Sequence, residues 1–199
     1  GSTNGTILSI GIGYWDGWRI VTGYPSLNTS LEMGRPSPIN AFHIGSNRAL
    51  VQNAWQHVAV SWDGHVLRHY VNARLVSEAV YEQAYTEPAD SAPFRVGFNG
   101  YGVGSIAMDV DEVVVHKRAL RPSEIITASL GIVDLAADIA ETLDKLQTAF
   151  VKKDGMAATL INKLRDNPQL PAALKLWLMS CEEAQVPLQE IIASKEIQS

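Results

Sequence analysis

The chain has 199 residues, enough for one sizeable core or two modest ones, with 46% hydrophobic and 19% charged residues and a net charge of −5. No apolar run approaches the roughly 20 residues that cross a bilayer, and an acidic chain without a Lys/Arg cluster lacks the basic face that a phosphate backbone requires. The expectation is a globular protein with no membrane span and no nucleic-acid partner. The opening Gly-Ser-Thr-Asn-Gly lacks the basic-then-apolar layout of a signal peptide.

Taken in chain order, the front of the sequence alternates with period two. Strands are expected at Thr6–Ile12, Trp18–Val21 and Ile39–Ile44. In Trp55–Trp62, Val58, Val60 and Trp62 share one strand face while His57 and Ser61 share the other. Asp63-Gly64 then turns the chain into a return strand at His65–Val71, and Asn72-Ala73 makes a second turn into Arg74–Val76. Further strands are expected at Phe94–Phe98 and, longest of all, at Ile106–His116. Val113 and Val115 are expected inside with Val58, Val60 and Trp62. Many short strands separated by turn signals suggest an antiparallel sandwich.

Composition changes near Gly131. Fourteen of the fifteen glycines lie at or before it, as do four of the five tryptophans and all five histidines. Beyond it the chain reads as helices. Leu135, Ile139, Leu143, Leu146 and Phe150 form one apolar stripe. Met156, Leu160, Ile161 and Leu164 form a second, ended by Asn167-Pro168. Leu174, Trp177, Leu178 and Cys181 form a third, started by Pro171, and Pro187–Ser194 reads as a short fourth helix. Cys181 is the one cysteine; it lies in an apolar pattern ahead of Glu182 and Glu183, so it reads as a buried structural thiol and not a reactive one. The division expected is a sandwich over 1–130 and a helical extension of three to four helices over 131–199, docked on the sandwich or on a partner.

The stretch Trp55–Ile125 resembles the laminin-G-like, concanavalin A-like family of β-sandwiches, which also includes the pentraxins. Three signatures carry the resemblance. They are Trp55-Gln56-His57-Val58-Ala59-Val60-Ser61-Trp62-Asp63-Gly64, then His69-Tyr70-Val71-Asn72-Ala73-Arg74-Leu75-Val76, then Val110-Asp111-Glu112-Val113 through His116 and Arg118-Ala119-Leu120 to Glu124-Ile125. The resemblance implies a mainly β fold, an antiparallel jelly-roll sandwich followed by a small all-α region. It also implies that Trp55 and Trp62 are core residues. Two departures stand out. Ala73 occupies the turn position where the family carries glycine; a left-handed alanine costs ~1–2 kcal/mol, so a different turn geometry is expected. The family's first strands precede the one at Thr6, so an open sheet edge is expected to associate with a second copy or an N-terminal fragment.

Several residues invite a functional reading. Tyr14-Trp15-Asp16-Gly17 reads as a loop tip, and its aromatics with Tyr85, Asn99 and Tyr101 make a candidate sugar-stacking surface; Trp18 reads as core. Related glucanases use a strand bearing three acidic residues, but here Asp109 and Asp111 share a face that continues to Val113, while Glu112 points away. The resemblance gives Asp111 a second meaning, as a ligand of a structural Ca2+ completed by N-terminal residues, against the plainer role of a carboxylate bonded within a turn. His43, His57, His65, His69 and His116 fit no zinc spacing. The resulting expectation is a non-enzymatic module of a larger extracellular protein that binds glycans or mediates adhesion. The alternative is a protein–protein interaction or spacer domain without a sugar site, and a glucanase-type hydrolase comes last.

Overall fold

A computed structural model describes residues 5–11, 16–23, 28–34, 42–82, 85–98, 107–153 and 155–182. Among these residues eight strands are followed by four helices: β1 (Gly5–Ile10), β2 (Trp18–Gly23), β3 (Asn28–Met33), β4 (Phe42–Ala49), β5 (Val58–Trp62), β6 (Val66–Val71), β7 (Arg74–Val80), β8 (Phe94–Val96), α1 (Pro122–Leu130), α2 (Ala137–Lys152), α3 (Met156–Arg165) and α4 (Ala172–Glu182). The strands form a five-stranded sheet in the order β4-β3-β2-β1-β8 and a three-stranded sheet in the order β5-β6-β7. All four pairings of the larger sheet are antiparallel. The chain divides into two compact units, one of residues 1–50, 62–69 and 77–117, the other of residues 51–61, 70–76 and 118–199.

In the first unit the register of the five-stranded sheet sorts side chains by chemistry. Paired residues share a face, so Phe94, Ile10, Trp18 and Met33 fall in one row, and Val96, Leu8, Ile20, Leu31 and Ile44 in the next. Ile20, Leu31, Met33 and Ile44 are buried there. The opposite face carries the Arg19↔Glu32 pair, an ion pair buried at both ends. A bulge at Ile7 shifts the β1–β2 register, and the Ile7 carbonyl accepts the Gly97 N–H at 2.8 Å. β3 is not among the strands expected from the sequence, although Thr29, Leu31 and Met33 alternate as a strand should. Glu32 enters this strand because Arg19 neutralises it across the ladder.

The second unit is held by an apolar core in which Ile126, Ile139, Leu143, Leu146, Leu164, Leu174, Trp177 and Leu178 are buried. Burying each such side chain stabilises by roughly 1.5–3 kcal/mol. α1 begins with Pro122, and the amides at its start find side-chain acceptors: Arg121 N–H donates to Glu124 within the helix at 2.7 Å, and Ser123 N–H to Asp144 of α2 at 2.7 Å. Gly131 ends α1 in a left-handed conformation (φ 64°), with Ile132 N–H returning to the Thr127 carbonyl at 2.9 Å. A side chain there would carry strain, so the compositional break at Gly131 is a helix stop.

The turn between β6 and β7 belongs to this unit and keeps the family geometry despite its alanine. Asn72 and Ala73 have φ of 50° and 60°, both left-handed, so the expected change of turn geometry is corrected. The reason lies in what surrounds the turn. Ala73 is fully buried in the helical core, its carbonyl accepts from Gln147 Nε2 at 2.5 Å, and Trp177 Nε1 donates to the Asn72 carbonyl at 3.1 Å. Arg74 lies 4.2 Å over the Phe150 ring and donates to the Cys181 carbonyl at 3.1 Å. These contacts offset the local cost of a left-handed alanine.

Other expectations are also corrected. The strand expected at Ile106–His116 is absent from its described part, 107–117. Glu112 sits at φ 50°, which breaks the extended run, and among the described residues no backbone hydrogen bond ties this stretch to a neighbouring strand. Val113 and Val115 are consequently exposed, at 40% and 67%. Trp55, expected in the core, is 45% exposed because it precedes β5 instead of lying in it. Met156, placed on the stripe of α3, is exposed at the first residue of that helix. Val58, Val60 and Trp62 are only partly buried, while Ser61 between them is buried. The expected strand at Ile39–Ile44 is described from Phe42 onward, and the helix at Pro187–Ser194 lies outside the described residues.

Candidate functional site

A hollow of about 310 Å3 in the first unit is lined by Ile10, Trp18, Tyr85, Glu87, Pro88, Ala89, Asp90 and Ala92. Its origin is local. Ile10 and Trp18 are register partners at the ends of β1 and β2, so both side chains emerge on one face where the sheet finishes. Beyond them the chain between β7 and β8 folds over as residues 85–92, with Ala92 N–H closing a turn on the Ala89 carbonyl at 2.7 Å.

Backbone bonds pin that loop. Gly17 N–H donates to the Thr86 carbonyl at 2.8 Å, and Gly34 N–H donates to the Gly17 carbonyl at 2.8 Å. Gly17 has φ 66°, and a Cβ there would lie 2.0 Å from the Ile10 carbonyl oxygen, so three segments meet at a point only glycine can occupy. The hollow thus rests on backbone bonds, which make its geometry independent of flexible side chains.

Two aromatic rings, Trp18 and Tyr85, line the hollow and meet further rings behind them. Trp18 meets Phe94 edge-on, with centroids 6.2 Å apart, and Tyr85 lies 5.6 Å from Trp62, which in turn meets Tyr81 at 5.8 Å. These spacings suit favourable aromatic pairs. Burial, and then the nearby negative charge of Glu87 and Asp16, pushes the Tyr85 hydroxyl up to about 12, so it is a neutral phenol able to donate a hydrogen bond at any physiological pH. Trp18 and Tyr85 offer apolar faces, Tyr85 a donor, and Glu87 and Asp90 acceptors; among the described residues no Lys, Arg or His lines the hollow.

Of the residues singled out in the sequence, Asp16 and Tyr85 come together here: the Asp16 charge acts on the Tyr85 hydroxyl, and the next residues, Gly17 and Thr86, are hydrogen-bonded. Tyr14, Trp15, Asn99 and Tyr101 lie outside the described residues. Trp18, read as core, is only partly buried and lines the hollow, a correction that follows from its place at the end of its strand. Glu87, Pro88 and Asp90 were missed altogether. The sequence signal was Tyr-Thr-Glu-Pro-Ala-Asp itself, a loop-forming stretch in which one aromatic residue is followed by two acidic ones.

The acidic group at 109–112 does not project from a strand. Asp111 is exposed and its Oδ1 accepts the Glu112 N–H at 2.8 Å, a bond within the turn. Among the described residues no three His, Cys, Asp or Glu side chains gather in a group that could hold a metal, so those residues do not by themselves make up the ~6–8 oxygen ligands that calcium takes. The histidines serve elsewhere. His69 is fully buried, with Nε2 3.0 Å from Thr29 Oγ1, and burial lowers it to about 4. His57 is lowered to about 4 in the same way, while its backbone exchanges hydrogen bonds with Asn72. Exposed His65 pairs with Glu82 at 3.1 Å.

No curated protein matched the sequence. Among solved structures, an S-layer domain-containing protein from Clostridium thermocellum (residues 221–444) is similar at 20% identity and a TM-score of 0.35, covering 58% of this chain and 57% of that one. The present chain therefore spans a little over half of that structure. The family described as the concanavalin A-like lectin/glucanases superfamily matches residues 3–126, which takes in all eight strands and the start of α1. The chain belongs to the concanavalin A-like lectin/glucanases superfamily.

Proposed function

We propose that this chain is a non-catalytic glycan-recognition module of a larger extracellular protein, and that its binding site is the hollow between Trp18 and Tyr85. The observation that carries the reading is the pairing of aromatic faces with polar atoms. Sugar rings have an apolar face that packs on aromatic surfaces, and hydroxyls that need donors and acceptors. Trp18 and Tyr85 supply the first, and the Tyr85 hydroxyl, Glu87 and Asp90 the second. With two carboxylates and no cation among the described lining residues, the reading favours a neutral or amino sugar; sialic and uronic acids would meet like charge. Asp16 stands beside this site; Tyr14, Trp15, Asn99 and Tyr101 remain candidate ligand contacts on their sequence alone. A structural Ca2+ at Asp111 would draw its other oxygens from outside the described residues, and a rise in melting temperature on adding calcium would reveal it.

The test is a glycan array followed by calorimetry on the best neutral ligand, using the wild-type chain, Tyr85→Ala and Asp90→Asn. Both variants should bind at least roughly tenfold more weakly, the loss expected when one stacking or hydrogen-bonding group is removed from a site. Unchanged binding in both would overturn the placement of the site. No binding to any glycan would favour a protein-interaction module, and release of reducing sugar from β-glucans would overturn the non-catalytic reading.

A further inference from the structure

The hollow between Trp18 and Tyr85 is one-sided in charge. Glu87 and Asp90 bring two carboxylates to its lining, and among the described residues no Lys, Arg or His lies there to balance them. Arg95 of β8 turns its guanidinium elsewhere, to the Gly11 carbonyl at 3.4 Å and the Pro93 carbonyl at 3.5 Å. A third carboxylate stands at the same rim. Gly11 follows Ile10, and a Cβ on it would lie 2.9 Å from Pro88 Cβ and 3.0 Å from Asp16 Oδ1. The Tyr85 hydroxyl registers the resulting field: after burial, the charges of Glu87 and then Asp16 keep it protonated. Among the described residues no three such groups gather as a metal site, so the negative charge is spread around the hollow instead of focused on one point.

We infer that the hollow selects sugars with a free ammonium group, 2-amino-2-deoxy hexoses whose nitrogen is not acetylated, and that Glu87 and Asp90 determine this specificity. The inference rests on the glycan reading above and narrows it. An ammonium carries three donors and no acceptor, so it can bond two carboxylates at once. Such charge-assisted bonds are about twice as strong as neutral ones. The faces of Trp18 and Tyr85 add to the attraction, because an aromatic ring draws a cation and indole does so best. An acetylated nitrogen offers a single neutral N–H and gains none of this. Both carboxylates are exposed, so the preference is one that salt screens. At about 310 Å3 the hollow falls at the small end of ligand sites, which suits one sugar unit of a chain.

Calorimetric titration of the whole chain with a β-linked glucosamine tetramer and with its fully N-acetylated counterpart tests this. At about pH 6, below the ~7.7–8.0 of an ordinary α-amino group, the free amines are charged. The glucosamine tetramer should bind roughly tenfold or more tightly than the acetylated one, and added salt should narrow the gap. The ratio of the two affinities is the readout in the variants, since it does not depend on how well either sugar binds. Glu87→Gln should bring that ratio down by several-fold, because it removes the charge and keeps the shape, and Glu87→Asp should restore it. Glu141→Gln makes the same change of charge on α2 and should leave the ratio as it is, which separates the site from the overall negative charge of the chain. Equal affinities, a ratio unmoved by Glu87→Gln, or one moved as much by Glu141→Gln would overturn the proposal and leave the glycan reading standing. Binding of neither tetramer nor of any other glycan would overturn both.

Discussion

Gln147 of α2 holds Ala73 in its turn by a two-sided amide bridge: Nε2 donates to the Ala73 carbonyl and Oε1 accepts the Leu75 N–H at 2.7 Å. Gln147 is fully buried and lies four residues after Leu143, on the same stripe of its helix. A glutamine in the middle of an apolar face is therefore the residue that ties the β6–β7 turn to the helices of its unit.

Gln147→Ala should consequently lower the stability of the chain by about 2–4 kcal/mol. The substitution leaves a buried N–H and a buried carbonyl without partners, each costing ~1–3 kcal/mol. Urea unfolding followed by circular dichroism measures it; a loss below about 1 kcal/mol would show that water replaces the amide.

Replacing Gly17 with Ala should cost more than about 2 kcal/mol, because the left-handed backbone is strained for alanine and the methyl would meet the Ile10 carbonyl. The same variant should lose glycan binding, since Gly17 pins the loop that carries Tyr85. Thermal melts and binding by calorimetry are read together. A stable variant that binds normally would separate the loop from the site.

Acid should weaken the fold through His69 and His57. Each is lowered from 6.5 to about 4 by burial, so below pH 6.5 the unfolded chain takes up a proton that the native chain refuses. Their contribution to stability is intact above pH 6.5 and falls by about 1.4 kcal/mol per pH unit per histidine as pH drops from 6.5 to 4. In His69 the charged ring would also carry a proton at buried Nδ1, which has no hydrogen-bond partner among the described residues. His69→Gln should flatten the slope of stability against pH in this window, and an unaltered slope would assign it to other groups.

The tryptophans should divide sharply. Trp177 is fully buried, with its Nε1 bonded to Asn72, so Trp177→Ala should cost about 3–5 kcal/mol. Trp55, at 45% exposure, should cost about 1 kcal/mol or less, and acrylamide should quench it readily. Equal losses at the two positions would place Trp55 back in a core.

Much of this could be read directly from the residues. The meander β5–β6–β7 followed from Asp63-Gly64, Asn72-Ala73 and period-two alternation. The helices beyond Gly131 followed from apolar stripes and from Pro168 and Pro171, because dihedral preferences and side-chain periodicity act within a few residues and leave their mark in the chain. Tyr85 and Asp16 were legible as surface aromatic and acidic residues, but not as neighbours. What the tertiary structure decided was every outcome that depends on a partner distant in sequence. Val113–Val115 have the composition of a buried strand yet stay exposed, because a strand exists only through the ladder beside it. Ala73 keeps a left-handed turn because Gln147, 74 residues later, reaches its carbonyl. Trp18 becomes the wall of a hollow because residues 85–92 fold over the end of its strand. Hydrogen bonding and packing between remote segments set these results, and their energies of a few kcal/mol exceed the local preferences that a sequence displays.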